Sequence, residues 1–299
     1  MSRLYVILDV FTDRSLAGNP LAAVLDAGGL DDAGMQAIAR QFNLSETVFL
    51  LPPDEESRKA RLKIFMPQKE LPFAGHPTIG AAVLLGLMDA VAGKGRDQAF
   101  EVEETVGVIA CETRATGKRS GHARFALPRM PQRVGAAPSP AGLAAALGLE
   151  ADDIGFDEHR ASRYEVGNPF CFAPIRSLEA LGRARIDVTL WQAVFGDDIG
   201  CFLYTRETGD PALAFRARML EPSIGEDPAT GSAVAAFAAV VTAFDRPGDG
   251  DHMLKIGQGF EMGRPSVVEL GLTIDGGVLT AGTIGGSAVV TAEGALFLD

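Results

Sequence analysis

Three side chains in this sequence have the type and setting to move a proton on carbon: Glu46, His76 and Asp227. Taking a proton from carbon beside a carboxylate needs a positioned base and a group that stabilises the developing negative charge. Glu46 stands in Asn43-Leu-Ser-Glu-Thr47, between a helical pattern and a strand-like run. A carboxylate there can point from a strand mouth or simply be solvated. Asp227 precedes a proline and a glycine, where it can anchor an amine or hydroxyl of a substrate or complement a helix dipole.

His76 and Asp227 sit in matching surroundings. Glu70-Leu-Pro72-Phe-Ala-Gly75-His76 leads into one apolar stretch, and Glu226-Asp-Pro228-Ala-Thr-Gly231-Ser232 leads into another, 156 residues later. A weaker echo joins Gly18-Asn19-Pro20 to Gly167-Asn168-Pro169. Free backbone N–H groups at a helix start, aided by the helix dipole, form an anion site without a cationic side chain. Gly75, Gly231 and Ser232 are therefore candidates to hold a substrate carboxylate. Local rules place His76 at the cap with Pro77 as first helical residue, let Gly75 take angles closed to other residues, and make Ser232 the second cap.

The elements that must position these groups read as short strands and few helices. Leu4–Leu8, Thr47–Leu51, Arg61–Phe65 and Ala123–Leu127 alternate as strands do, as do Cys201–Tyr204, Ala212–Ala217, Met253–Ile256 and Ser266–Leu270. One surface helix is expected at Asp32–Phe42, with Met35, Ile38, Ala39 and Phe42 on one face and Asn43 ending it. Pro77–Met88 and Ala233–Phe244 are apolar on nearly every side, so both helices belong inside something. The repeated lead-ins then imply a duplicated α+β unit, each copy a curved sheet around one buried helix, with the two helix starts facing a shared cleft. The Pro-rich segment from Pro128 to Pro140 is the best linker, which sets domains at residues 1–128 and 129–299, the last strand being able to cross back to the first.

Composition excludes several classes. A net charge of -12 argues against a nucleic-acid surface. No apolar run approaches the ~18 residues of a membrane span, and the start lacks a signal-peptide core, so a cytoplasmic protein is expected. Cys111, Cys171 and Cys201 are odd in number and show no metal-ligand spacing, while His122, His159 and His252 stand outside metal motifs, so no metal is expected. Gly257-x-Gly259 lacks the rest of a dinucleotide fingerprint, and Ser232 lies in no G-x-S-x-G elbow.

Taken together, Asp9-x-Phe11-Thr12, Gly18-Asn-Pro20, Asn43-Leu-Ser-Glu46-Thr47, Gly75-His76-Pro77-Thr78, Glu226-Asp-Pro-Ala-Thr-Gly-Ser232 and Gln258-Gly-x-x-x-Gly263-Arg-Pro-Ser266 resemble the PhzF-type, phenazine-biosynthesis-like isomerases. The matches run over nearly the whole chain. The resemblance implies the diaminopimelate-epimerase fold, a homodimer, and a reaction without cofactor. It makes Glu46 the group that takes a proton and returns it, with His76 and Asp227 assisting and Gly75 and Ser232 lining the anion pocket. Cysteines that act as paired bases in the wider epimerase group correspond here to Ala74 and Thr230. A single-base proton shift on a small carboxylate is the expectation. The competing class is a ligand-binding or interaction protein that keeps the cleft without turnover.

Overall fold

The computed structural model describes residues 2–196, 198, 200–222 and 224–298. By its internal contacts the chain forms two units, Met1–Pro128 with Gly285–Asp299, and Arg129–Ile284.

The first unit contains, in order, β1 (Ser2–Val10), β2 (Asn19–Val24), α1 (Asp32–Phe42), β3 (Glu46–Leu51), β4 (Ala60–Phe65), β5 (Glu70–Leu71), α2 (Gly75–Val91), β6 (Asp97–Glu104), β7 (Gly107–Ala115) and β8 (Ser120–Ala126). The second contains β9 (Gln132–Arg133), α3 (Pro140–Leu147), β10 (Ser162–Glu165), β11 (Pro169–Pro174), α4 (Leu178–Arg183), α5 (Val188–Phe195), β12 (Gly200–Thr205), β13 (Phe215–Glu221), β14 (Gly225–Asp227), α6 (Gly231–Phe244), β15 (Gly250–Gln258) and β16 (Ser266–Asp275). A long last strand, β17 (Val278–Phe297), begins in the second unit and ends in the first.

The two units repeat one pattern of pairing. β1–β2 and β10–β11 are antiparallel, β2–β3 and β11–β12 parallel, β3–β4 and β12–β13 antiparallel. β4–β6 and β13–β15 are again parallel, and β6–β7 and β15–β16 antiparallel. Between the members of each parallel β4–β6 type pair comes a two- or three-residue strand and then the buried helix. In the first unit β8 pairs with β17 and β17 with β1, so the sheet closes on itself. A closed sheet has no edge left to pair elsewhere.

α2 fills that closed sheet. Its residues from Gly75 to Leu87 are all buried, as expected of a helix apolar on every face. Gly80 sits where an added Cβ would lie 2.4 Å from Leu21 Cδ2, so the helix lies close against β2. α6 is likewise buried along most of its length, packed among Phe172, Phe202, Tyr204 and Phe215 through Phe237. α1 matches the expected span: Asp31 caps it by accepting from Gly34 N, and Asn43 ends it in the left-handed conformation.

Some expectations need correction. α2 begins one residue before His76, with Ala74 as N-cap, Gly75 as first helical residue and Pro77 third. α6 is capped at Thr230, with Gly231 first and Ser232 second. Gly75 and Gly231 are thus helical and take no left-handed backbone angle. The strand expected at Ala212–Ala217 lies at Phe215–Glu221. Pro140, read as part of a linker, is the first residue of α3, capped by Ser139.

Candidate active site

In the first unit the site is assembled by strand register. The parallel β2–β3 pair sets Leu21 opposite Glu46, so the starts of both strands lie at one end. β4 returns antiparallel to that end with Phe65 beside Thr47, and β5 pairs Glu70 with Phe65 before the chain turns into α2. Asn19, Glu46 and the start of α2 are therefore neighbours. Gly18 makes the approach possible: it has φ +66, and a Cβ there would lie 2.3 Å from Val10 O.

His76 Nε2 lies 3.4 Å from Glu46 Oε2, and the buried Asn19 amide nitrogen lies 3.4 Å from His76 Nδ1. Burial pushes the His76 pKa down from 6.5 to about 3, because charging an imidazole out of water is costly. His76 is then neutral at ordinary pH. With the Asn19 N–H donating to Nδ1, the single ring proton sits on Nε2, the ring nitrogen 3.4 Å from Glu46 Oε2. A neutral donor there can stabilise negative charge without itself bringing a cation into the site. Glu46 retains 15% side-chain exposure, although its Oε2 is buried.

The second unit collects its groups in the same way, with Leu220 pairing Glu226 and Met219 pairing Asp227 just before α6. The buried Arg218 forms two hydrogen bonds to Glu226, at 2.9 and 2.8 Å, and fixes the strand that carries Asp227. Asp227 accepts from Thr230 Oγ1. Gln258, fully buried, donates to Asp227 O at 2.8 Å and to Thr230 Oγ1 at 3.0 Å, and accepts from Thr230 N at 3.2 Å. The next residue, Gly259, has φ +77, and a Cβ there would lie 2.6 Å from Pro228 O. The loop after β15 thus clamps the Asp227–Thr230 turn from one side.

The duplication is broken at the base. Leu21 pairs Glu46 in the first unit, and the equivalent Phe170 pairs Gly200 in the second. A Cβ at Gly200 would meet Met219 Cε at 2.2 Å and Leu220 O at 2.9 Å, so the position has no room for a side chain. His76 likewise corresponds to Ser232, and Ala74 to Thr230, by the 156-residue offset.

The structure brings Glu46 and His76 together and groups Asp227 with Gly231 and Ser232 at the start of α6. Two positioning residues, Asn19 and Gln258, were not singled out as site residues from the sequence. The repeated Gly-Asn-Pro was the available signal for the first, and the glycines around the second. Among the described residues no group of three His, Cys, Asp or Glu side chains is placed to hold a metal ion. Among the described residues no helix is long and apolar enough to cross a membrane.

The family model for phenazine biosynthesis-like proteins matches residues 8–294, and the chain belongs to that family. Its fold is the diaminopimelate-epimerase-like one, and it is an isomerase. An uncharacterized isomerase of Mesorhizobium japonicum is 45% identical over 306 residues, covering 99% of each chain. The trans-2,3-dihydro-3-hydroxyanthranilate isomerase of Pseudomonas aeruginosa is 32% identical over 308 residues, covering 98% of this chain and 99% of its own. A PhzF-family phenazine biosynthesis protein of Bacillus anthracis superposes with a TM-score of 0.87 at 24% identity, covering 100% of both chains.

Proposed function

We propose that this isomerase moves a proton between carbons of a small carboxylate substrate by acid–base chemistry alone, with Glu46 taking the proton and returning it. The observation that carries the reading is the setting of Glu46: a partly exposed carboxylate against a buried, neutral His76 whose tautomer Asn19 fixes. Its counterpart in the duplicated unit, Gly200, is closed to any side chain, and Ala74 and Thr230 stand where paired thiol bases would be. One base therefore favours removal and return of the proton on one face of the substrate.

At the start of α2 Gly75, and at the start of α6 Gly231 and Ser232, supply helix-start N–H groups for a substrate carboxylate, and Asp227 binds a substrate amine or hydroxyl. Closing water out strengthens each of these interactions. The relative that acts on trans-2,3-dihydro-3-hydroxyanthranilate makes cyclic amino acids with a hydroxyl the first compounds to try. The protein works in the cytoplasm as a homodimer, and a monomer in sedimentation at micromolar concentration would remove the second part.

The test is NMR of substrate C–H exchange in deuterated water, wild type beside Glu46→Gln. Exchange by wild type and none by the variant supports Glu46 as the base. Binding of ligands without exchange by either protein favours the ligand-binding alternative.

A further inference from the structure

A buried acid that the proposed chemistry does not use lies under the start of α2. Glu104, the last residue of β6, is buried, and its Oε1 lies 2.6 Å from Thr78 Oγ1. The same hydroxyl lies 2.8 Å from the carbonyl oxygen of Ala74, which also accepts from Thr78 N at 3.2 Å. Thr78 has one hydroxyl hydrogen and faces two oxygens. A carbonyl oxygen cannot donate, and neither can a carboxylate. Both short contacts are hydrogen bonds only when Glu104 carries a proton.

We infer that Glu104 is a neutral carboxylic acid in the working protein and a positioning residue for His76. Its O–H donates to Thr78 Oγ1, whose O–H donates to Ala74 O, the residue two before His76. The relay ties β6 to the cap of α2 and sets where His76 stands against Glu46. Ionised, Glu104 would draw the threonine hydrogen to itself and leave Ala74 O with the backbone N–H alone.

The surroundings agree. Burial pushes the Glu104 pKa up to about 8, with only the Thr78 hydroxyl opposing it. Glu104 Oε2 is buried with no hydrogen-bond partner among the described residues. From β7 it faces the Cys111 thiol, itself pushed to about 12 by burial and by Glu104, so no thiolate forms beside it. The charged groups sharing the adjoining groove are Asp54, Glu55, Arg58, Arg61, Lys63 and Glu103. Their cations are committed elsewhere: Arg58 to Glu103, Arg61 to Asp54, Lys63 to Asp32. None compensates a charge on Glu104.

The inference rests on the proposed role of His76, but its test does not require turnover. Infrared difference spectroscopy of wild type against Glu104→Gln reads the C=O stretch of a buried protonated acid. We expect the band at pH 6 and its loss with a midpoint near pH 8. In parallel the His76 ring resonances of wild type shift with that same midpoint, and those of Glu104→Gln do not. A band absent at pH 6, or a His76 shift that persists in the variant, overturns the inference. The pH titration of the wild-type band needs no variant, so a poorly folding Glu104→Gln leaves the protonation decisive. If a substrate exchanges, its rate falls about tenfold per pH unit above the midpoint in wild type only. Failure of every substrate with the band and shift intact counts against the isomerase site reading and not against the relay.

Discussion

Acidifying the protein from pH 7 to pH 5 charges a histidine in the unfolded chain but not His76 in the folded one. The ring lies 4% exposed, with Asn19 on Nδ1 and Glu46 facing Nε2. Its pKa falls from 6.5 to about 3 through burial. A group whose folded pKa is depressed contributes stability that is whole above its unfolded pKa and is lost as pH falls toward the folded one. The window is therefore pH 6.5 down to 3, worth about 5 kcal/mol in all at ~1.4 kcal/mol per pH unit. At pH 5 about 2 kcal/mol of it has gone. His76→Gln keeps a side chain that hydrogen-bonds but cannot charge, so its stability holds over this range relative to wild type. Denaturant unfolding of both at pH 7 and pH 5 reads the difference. The chain has four histidines, so a proton–nitrogen correlation of the imidazole rings also resolves His76 directly. It should keep its Nε2–H tautomer at pH 5. The opposing force is the Glu46 carboxylate at 3.4 Å, which favours imidazolium. A ring that titrates near 6.5, with unfolding curves of the two proteins moving in parallel, would refute the reasoning and make Glu46–His76 an ion pair.

Gln258→Leu leaves Asp227 O and Thr230 N without their buried partner, a loss of about 1–3 kcal/mol for each group left unpaired. Thermal unfolding should fall accordingly and turnover at least tenfold, with an unchanged melting temperature counting against the clamp. Gly259→Ala meets Arg264 O at 2.4 Å and Pro228 O at 2.6 Å, both backbone atoms, at a residue with φ +77. The turn carrying Asp227 must move, at about 1–3 kcal/mol, and a rise in substrate KM together with a lower melting temperature checks it. For Glu104 the sign is opposite to His76. Its folded pKa is raised from 4.5 to about 8, so stability is whole below pH 4.5 and declines up to pH 8. Glu104→Gln escapes that decline, and denaturant unfolding at pH 5 and pH 8.5 should show the variant gaining on wild type by several kcal/mol, at most about 5.

The parts of the fold legible in the sequence are those whose pattern is local. Asp32–Phe42 shows its apolar face and its terminating Asn43 within twelve residues, and α2 and α6 declare their burial by having no polar face. What failed was local chemistry read too coarsely or pairing at long range. The prolines before α3 look like breakers, although Pro140 behind Ser139 is a good helix start. β2 and β11 carry a proline near their starts and little alternation, since both faces are buried. β13 is placed too early along the chain, since it holds Arg216 and Arg218, charged residues that a buried strand tolerates because Glu261 and Glu226 meet them. In the site, Glu46, His76 and Asp227 could be picked out from their motifs. That Asn19 reaches His76 follows only from the register of β2 on β3, and Glu104 in Glu101-Val-Glu-Glu104 looks like any solvated strand acid until Thr78 is set beside it.

The long last strand has a consequence for how the protein is made. The first unit is translated first, yet Ser2 pairs with Phe297 and Val10 with Ala288, so its sheet cannot close until β17 leaves the ribosome. Through the synthesis of the entire second unit, β1 and β8 wait with open edges around an unsealed apolar helix. Closing contacts of such separation are slow, and open edges invite wrong partners. Nascent chains arrested before residue 285 should therefore engage chaperones that hold exposed strands, and release should coincide with the arrival of β17 rather than with completion of either helix.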